Sequence, residues 1–182
     1  MLGDSISAGY GLAEGEGWVT LLQTRLRMQG YGHRVVNASV SGETTTGGLA
    51  RLPRALALHR PAIVVLELGG NDGLRGLPLE TSRANLERSI ELARTSGAKV
   101  LLLGMKMPPN YGARYTSGFE AIYPALAKKY RVAFVPFFLE SIALKPGLIQ
   151  GDGLHPTAAA QPAMLDAVWP TLAPLLRRTS KG

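Results

Sequence analysis

Two β-branched and leucine-rich runs in this chain, Ile63-Val64-Val65-Leu66 and Val100-Leu101-Leu102-Leu103, are apolar throughout, with no polar position inside them. A strand with one wet face alternates, so continuous runs like these predict strands covered on both faces, as in a parallel sheet between two helical layers. The full set of strand-like runs is 34–40, 62–69, 100–105 and 132–138. Longer stretches with helical spacing separate them, which is the pattern of βαβ units. These are Trp18–Met28, with Trp18, Leu22 and Leu26 on one stripe, Thr45–His59, 82–96 with Leu86, Ile90 and Ala93, then 121–130 and 158–176. Pro162 and Pro170 are expected to break or kink the last of them. Gly30, Gly97 and Gly147 stand where a helix or turn should end. At 182 residues the chain is long enough for one core, and it is read as a single domain spanning 1–182 without repeat or linker.

In an open parallel sheet, ligands bind outside the carboxyl ends of the strands. Glycine-rich turns collect there: Gly42 follows Val40, Gly69-Gly70 follow Leu68, and Gly104 lies in the run ending at Met105. Ser5, Gly42 and Asn71 are therefore expected to meet at one edge.

Near the far end of the chain stands Asp152-Gly153-Leu154-His155-Pro156. A serine hydroxyl needs a base to become a nucleophile, and the base needs a carboxylate to fix its tautomer and stabilise its charge. Ser5, His155 and Asp152 supply all three, with the base and the carboxylate on one short loop. Gly-Asp-Ser also reads as a common turn or helix N-cap, Gly42 as a turn glycine and Asn71 as a turn former. His33 beside Arg34 and His59 beside Arg60 read as solvated or helix-terminal histidines. The double glycine before Asn71 is no phosphate cradle, since neither a P-loop nor a dinucleotide fingerprint occurs.

Composition removes several classes of function. With no cysteine, the chain has no disulfide, thiolate zinc site or cysteine nucleophile, and no further pair of ligands at suitable spacing makes His155 a metal site. We expect no cofactor and no metal. The excess of 20 Lys+Arg over 13 Asp+Glu gives a formal charge of +7, but the basic residues are scattered, apart from Arg177-Arg178 with Lys181. They read as a solvated surface rather than a nucleic-acid site. No apolar run reaches the length of a membrane span, so integral membrane association is not expected.

Gly3-Asp4-Ser5, Gly42, Gly69-Gly70-Asn71-Asp72 and Asp152-x-x-His155-Pro156 resemble, in order and spacing, the four blocks of the SGNH (GDSL) hydrolases. The likeness extends to the thioesterase I, arylesterase and lysophospholipase branch through Val36-Asn37-Ala38-Ser39, Gly48-Leu49-Ala50-Arg51-Leu52-Pro53, residues 66–76, Pro109-Asn110-Tyr111-Gly112 and Ala121-Ile122-Tyr123-Pro124. It covers nearly the whole chain. The resemblance implies a flavodoxin-like α/β/α sandwich that hydrolyses small-molecule acyl esters or thioesters, including aryl esters and lysophospholipids. Ser5 would be the nucleophile, His155 the base and Asp152 its orienting carboxylate; the N–H groups of Ser5 and Gly42 and the amide of Asn71 would form the oxyanion hole. Asp4, Glu43, Leu74, Arg75, Pro109 and Tyr111 are the candidate substrate-binding residues.

In the families resembled, the Gly-Asp-Ser block follows a complete strand inside the sheet, whereas here only Met1-Leu2 precede it. The first strand is thus expected to be largely absent and the fold destabilised, unless another segment or another copy fills the gap by strand exchange. The same resemblance implies a periplasmic or secreted protein whose signal peptide is missing from this chain. Two other readings compete: a carbohydrate acetylesterase on the same scaffold, and a non-catalytic basic protein that binds lipid or nucleic acid.

Overall fold

The computed structural model describes residues 1–176. The basic cluster Arg177-Arg178 with Lys181 lies outside the described residues. Four parallel strands form one sheet in the order β1 (Leu2–Gly3), β2 (Ile63–Glu67), β3 (Lys99–Leu103) and β4 (Ala133–Val135). Leu2 pairs with Leu66, Ile63 with Lys99 and Leu101 with Ala133.

Three of the expected runs hold β2, β3 and β4: β2 and β4 are shorter than the runs at both ends, and β3 starts one residue earlier, at Lys99, and stops before Gly104. The run at 34–40 differs, because it is extended but forms no strand of the ladder. It lies along the other side of β1: the Met1 amine donates to Val36 O (2.8 Å), Ala38 N to Met1 O (2.9 Å) and Val40 N to Gly3 O (3.0 Å). A two-residue β1 offers it few partners, which is why pairing stops there. The short β1 is nevertheless flanked on both sides.

Among the described residues six α-helices lie between the strands, α1 (Ser5–Ala8), α2 (Trp18–Met28), α3 (Thr45–His59), α4 (Gly70–Leu74), α5 (Leu79–Thr95) and α6 (Ala113–Tyr130), and α7 (Gln161–Leu172) follows β4. From β1 the chain passes outward through α1 and α2 to the 35–40 segment, then back through α3 to β2. Right-handed crossovers put outward and returning connections on opposite faces. Accordingly α3, α5 and α6 pack in succession on one another, while α2 packs on α7 in a second group. The reversal of direction beside β1 is a topological switch point, where sheets of this type hold their ligands.

The helix expectations at Trp18–Met28 and Thr45–His59 match the elements, and α6 begins eight residues before the expected 121, after Gly112. The stretch 158–176 divides as expected of its prolines. Pro162 falls in the first turn of α7, where no donor is lost; Pro170 lies inside it, and the chain passes into a 3-10 turn at Ala173–Leu175. The core joins both layers through Trp18, Leu66, Leu101, Phe119, Tyr123, Phe138 and Val168. Trp18 meets Phe138 edge-on at 5.2 Å between ring centroids, and its backbone N–H is capped by the buried Gln161 side chain at 2.9 Å.

Candidate active site

The single turn α1 follows directly from β1. Asp4 caps it by accepting the N–H of Ile6 at 3.0 Å. Ser5 thus occupies the first helical position, where the backbone N–H has no acceptor within its own helix. Its hydroxyl donates to His155 Nε2 at 2.8 Å, and His155 Nδ1 donates to Asp152 Oδ2 at 2.6 Å. Asp152 Oδ1 also accepts the N–H groups of Leu154 (2.9 Å) and His155 (3.0 Å). The bond from the His155 N–H, the bond from its ring and then that from Leu154 lower the Asp152 pKa to about 2. The carboxylate is therefore charged at neutral pH.

Three residues that carried no sequence signal hold this loop. Gln150 N donates to His155 O at 2.7 Å, and the Gln150 amide donates to Tyr10 O (2.9 Å) and Pro156 O (3.0 Å). The Tyr10 ring lies against the His155 ring with centroids 4.5 Å apart. Gly11 admits the Gln150 side chain, for an added Cβ would lie 2.5 Å from its Oε1.

Opposite Ser5, Gly42 turns the chain with φ +79°, a conformation that favours glycine. Its carbonyl accepts from Arg75 Nη2 at 3.0 Å, joining this turn to the end of α4. Asn71, in the first turn of α4, donates through Nδ2 to Asp4 Oδ2 (3.1 Å) and to Glu43 O (3.0 Å). Both amide hydrogens are therefore engaged. Below it Asp72, fully buried, accepts Thr45 N at 2.8 Å, the Thr45 hydroxyl and Ser82 Oγ at 3.2 Å, fastening α4 to the starts of α3 and α5.

The candidate substrate residues divide. Asp4 is 2% exposed and both its oxygens are taken up inside the protein, so it underlies Asn71 instead of lining a groove. The Glu43 side chain turns to Arg51 at 2.7 Å, leaving only its carbonyl near the site. Tyr111, following Pro109 in a 3-10 turn, donates its hydroxyl to Leu74 O at 3.0 Å. Leu74 and Arg75 at the end of α4 and Pro109 and Tyr111 in the 3-10 turn therefore form two segments bonded to one another on the carboxyl side of Asn71. Among the described residues no group of three or more His, Asp and Glu is placed to hold a metal ion, and no helix is long and apolar enough to cross a membrane.

A parallel α/β sheet that brings a hydrogen-bonded Ser–His–Asp chain to its carboxyl edge, with a glycine turn and a carboxamide opposite, has the form of a serine acyl hydrolase. Comparison with known proteins agrees. The chain belongs to the GDSL-like Lipase/Acylhydrolase family, whose sequence profile matches residues 1–162. It is 56% identical over 176 residues to Esterase TesA of Pseudomonas aeruginosa, covering 97% of this chain and 88% of that one. To Thioesterase 1/protease 1/lysophospholipase L1 of Escherichia coli K12 it is 43% identical over 180 residues, covering 99% and 85%. A crystal structure of TesA superimposes with a TM-score of 0.93 at 56% identity, covering 96% of this chain and 97% of that one.

Proposed function

We propose that this chain is a serine esterase and thioesterase that hydrolyses small-molecule acyl esters through an acyl-Ser5 intermediate. The observation that carries the reading is the continuous bond path from Asp152 through His155 to the Ser5 hydroxyl. Ser5 Oγ attacks the carbonyl carbon as its proton passes to His155 Nε2, and Asp152 stabilises the imidazolium. The negative oxygen is met by the N–H groups of Ser5 and Gly42 and by the Asn71 amide, which exchanges its bond to Glu43 O for one to substrate. Collapse expels the alcohol or thiol, which takes the proton from His155. Water then attacks the acyl-enzyme by the same route in reverse, freeing the acid and restoring Ser5.

Leu74, Arg75, Pro109 and Tyr111, on the two bonded segments, form the acyl side of the site in this reading. Aryl esters, acyl thioesters and lysophospholipids share the one feature the machinery acts on, an acyl carbonyl with a competent leaving group. The names of the relatives, an esterase and a thioesterase/lysophospholipase, support the same class.

The test is labelling with a fluorophosphonate, followed by peptide mapping and a rate panel. We expect the label on Ser5 and a dependence of rate on acyl length among p-nitrophenyl esters and acyl-CoA thioesters. Unlabelled Ser5 overturns the reading. A flat preference for acetyl groups on sugars moves the chain to a carbohydrate acetylesterase.

A further inference from the structure

Beneath the proposed nucleophile lies a carboxyl group that the mechanism above does not use. Glu67 ends β2 and is fully buried. Its Oε2 accepts the Ser7 hydroxyl at 2.7 Å and the Asp4 N–H at 3.3 Å. The Ser7 oxygen in turn accepts Trp18 Nε1 at 3.2 Å, so the single hydroxyl proton of Ser7 is committed to Glu67. Glu67 Oε1 is equally buried and receives no donor. No cation forms an ion pair with Glu67 among the described residues. Glycine at position 3 makes room for it, since a Cβ there would stand 2.6 Å from Oε2.

An ionised carboxyl in such a place, without a counter-charge, carries a desolvation cost of several kcal/mol, and a proton removes that cost. Burial, and then the neighbouring Asp4 charge, push the Glu67 pKa well above the ordinary carboxylate range. Asp4 is also raised by burial, but the donors Ile6 N–H and Asn71 Nδ2 favour its anion. Of the two adjoining carboxyls, Glu67 has the stronger push towards its neutral form, since it is fully buried without a counter-charge while both oxygens of Asp4 meet donors.

We propose that Glu67 is a neutral positioning residue for the reaction: its carboxyl accepts the Asp4 N–H and so holds Asp4 where its carboxylate caps α1 and orients Asn71. Asp4 stands at the root of both functional arms: it caps the turn that begins at Ser5 and accepts the Asn71 amide. The Asp4 bond keeps that amide in place when the Glu43 carbonyl is given up for the oxyanion. Other titratable groups around the pair are Tyr123 and Asp72, with His155 beyond Asp4. The proposal rests on the reading of Ser5 and Asn71 given above.

Infrared difference spectra between the wild type and Glu67→Gln at neutral pH test the proton independently of activity. The carbonyl stretch of a buried protonated carboxyl is expected in the wild type and absent from the variant; its absence from the wild type overturns the proposal. Kinetics then test the coupling. Glu67→Gln keeps a neutral donor and an acceptor, and we expect kcat within about threefold of wild type; Glu67→Leu is expected to lower kcat roughly 30-fold or more with little change in KM. If Glu67 acts through Asn71, adding Asn71→Ala to Glu67→Leu costs far less than Asn71→Ala alone. A loss of more than about tenfold in Glu67→Gln, or losses in the double variant that simply multiply, overturns the proposal. Should Glu67→Leu fail to fold, the spectra and Glu67→Gln still decide. Fluorophosphonate labelling of wild-type Ser5 is scored separately, so failure of the hydrolase reading is distinguishable from failure of this one.

Discussion

Asn71 and Asp152 act on the same reaction from opposite sides, and their substitutions are expected to differ. In the proposed mechanism, Asn71→Ala removes one of three donors to a developing oxyanion, and loss of one such donor costs about 3 kcal/mol of transition-state stabilisation. We expect kcat to fall roughly a hundredfold or more, with the melting temperature little changed because the amide makes only two bonds in the resting protein. A near-normal kcat would remove Asn71 from the mechanism. Asp152→Asn takes away the charge that fixes the His155 tautomer, and kcat should drop by about 10³–10⁴. Because Asp152 is held down to about 2, its stabilising contribution is present above the ordinary carboxylate range and is lost only as pH falls towards 2. Ser5, Asp152 and His155 were readable because their chemistry requires those residue types together. Asp4 was readable as part of a motif but not in its place, because only burial shows that its carboxylate faces Asn71. Glu67, Tyr10 and Gln150 gave no signal, since nothing local distinguishes a buried Glu, a ring stacked on a histidine or a loop clamp from ordinary positions.

The element most exposed to a single change is the joint from β2 to α4. Gly69 adopts φ +111°, and a methyl group added there would stand 2.3 Å from the Tyr123 hydroxyl, which donates to Leu68 O at 3.0 Å. Gly69→Ala therefore strains the backbone and breaks a buried hydrogen bond, a loss of about 2–4 kcal/mol. That corresponds to a melting temperature lower by about 5–15 °C, measured by calorimetry. An unchanged melting temperature would show that Tyr123 swings aside at no cost. Helices α2 and α3 were legible from apolar spacing alone, whereas the amino-terminal half of α6 was not. The short turns α1 and α4 were not: one turn has no period, and each is held by partners distant in sequence, Glu67 for Asp4 and Thr45 with Ser82 for Asp72.

At the scale of the whole molecule, a cavity of about 280 Å³ lies at the amino edge of the sheet beside Met1, lined by Leu22, Val35, Ile63 and Val65 together with His33, His59 and Arg60, and neither Ser5 nor His155 borders it. It continues the line of β1 alongside the amino-terminal half of β2. A variant with about six apolar residues attached ahead of Met1 would add a strand of ordinary length there, and we expect a higher melting temperature with activity retained. No gain in either would show that the 35–40 segment already closes the sheet. A melting temperature that rises with protein concentration in the unextended chain would instead mark a second copy's segment in the cavity.

The parallel sheet, its two helical coats and the Ser–His–Asp chemistry follow from period and residue type, which are local properties written along the chain. The flanking of a two-residue β1 by segment 35–40, the burial of Asp4 and the stacking of Glu67 beneath it depend on which distant residues share one small volume. Desolvation decides what such groups do: a carboxyl has the same sequence whether it faces water or Trp18 and Ser7, but only the folded protein removes the water.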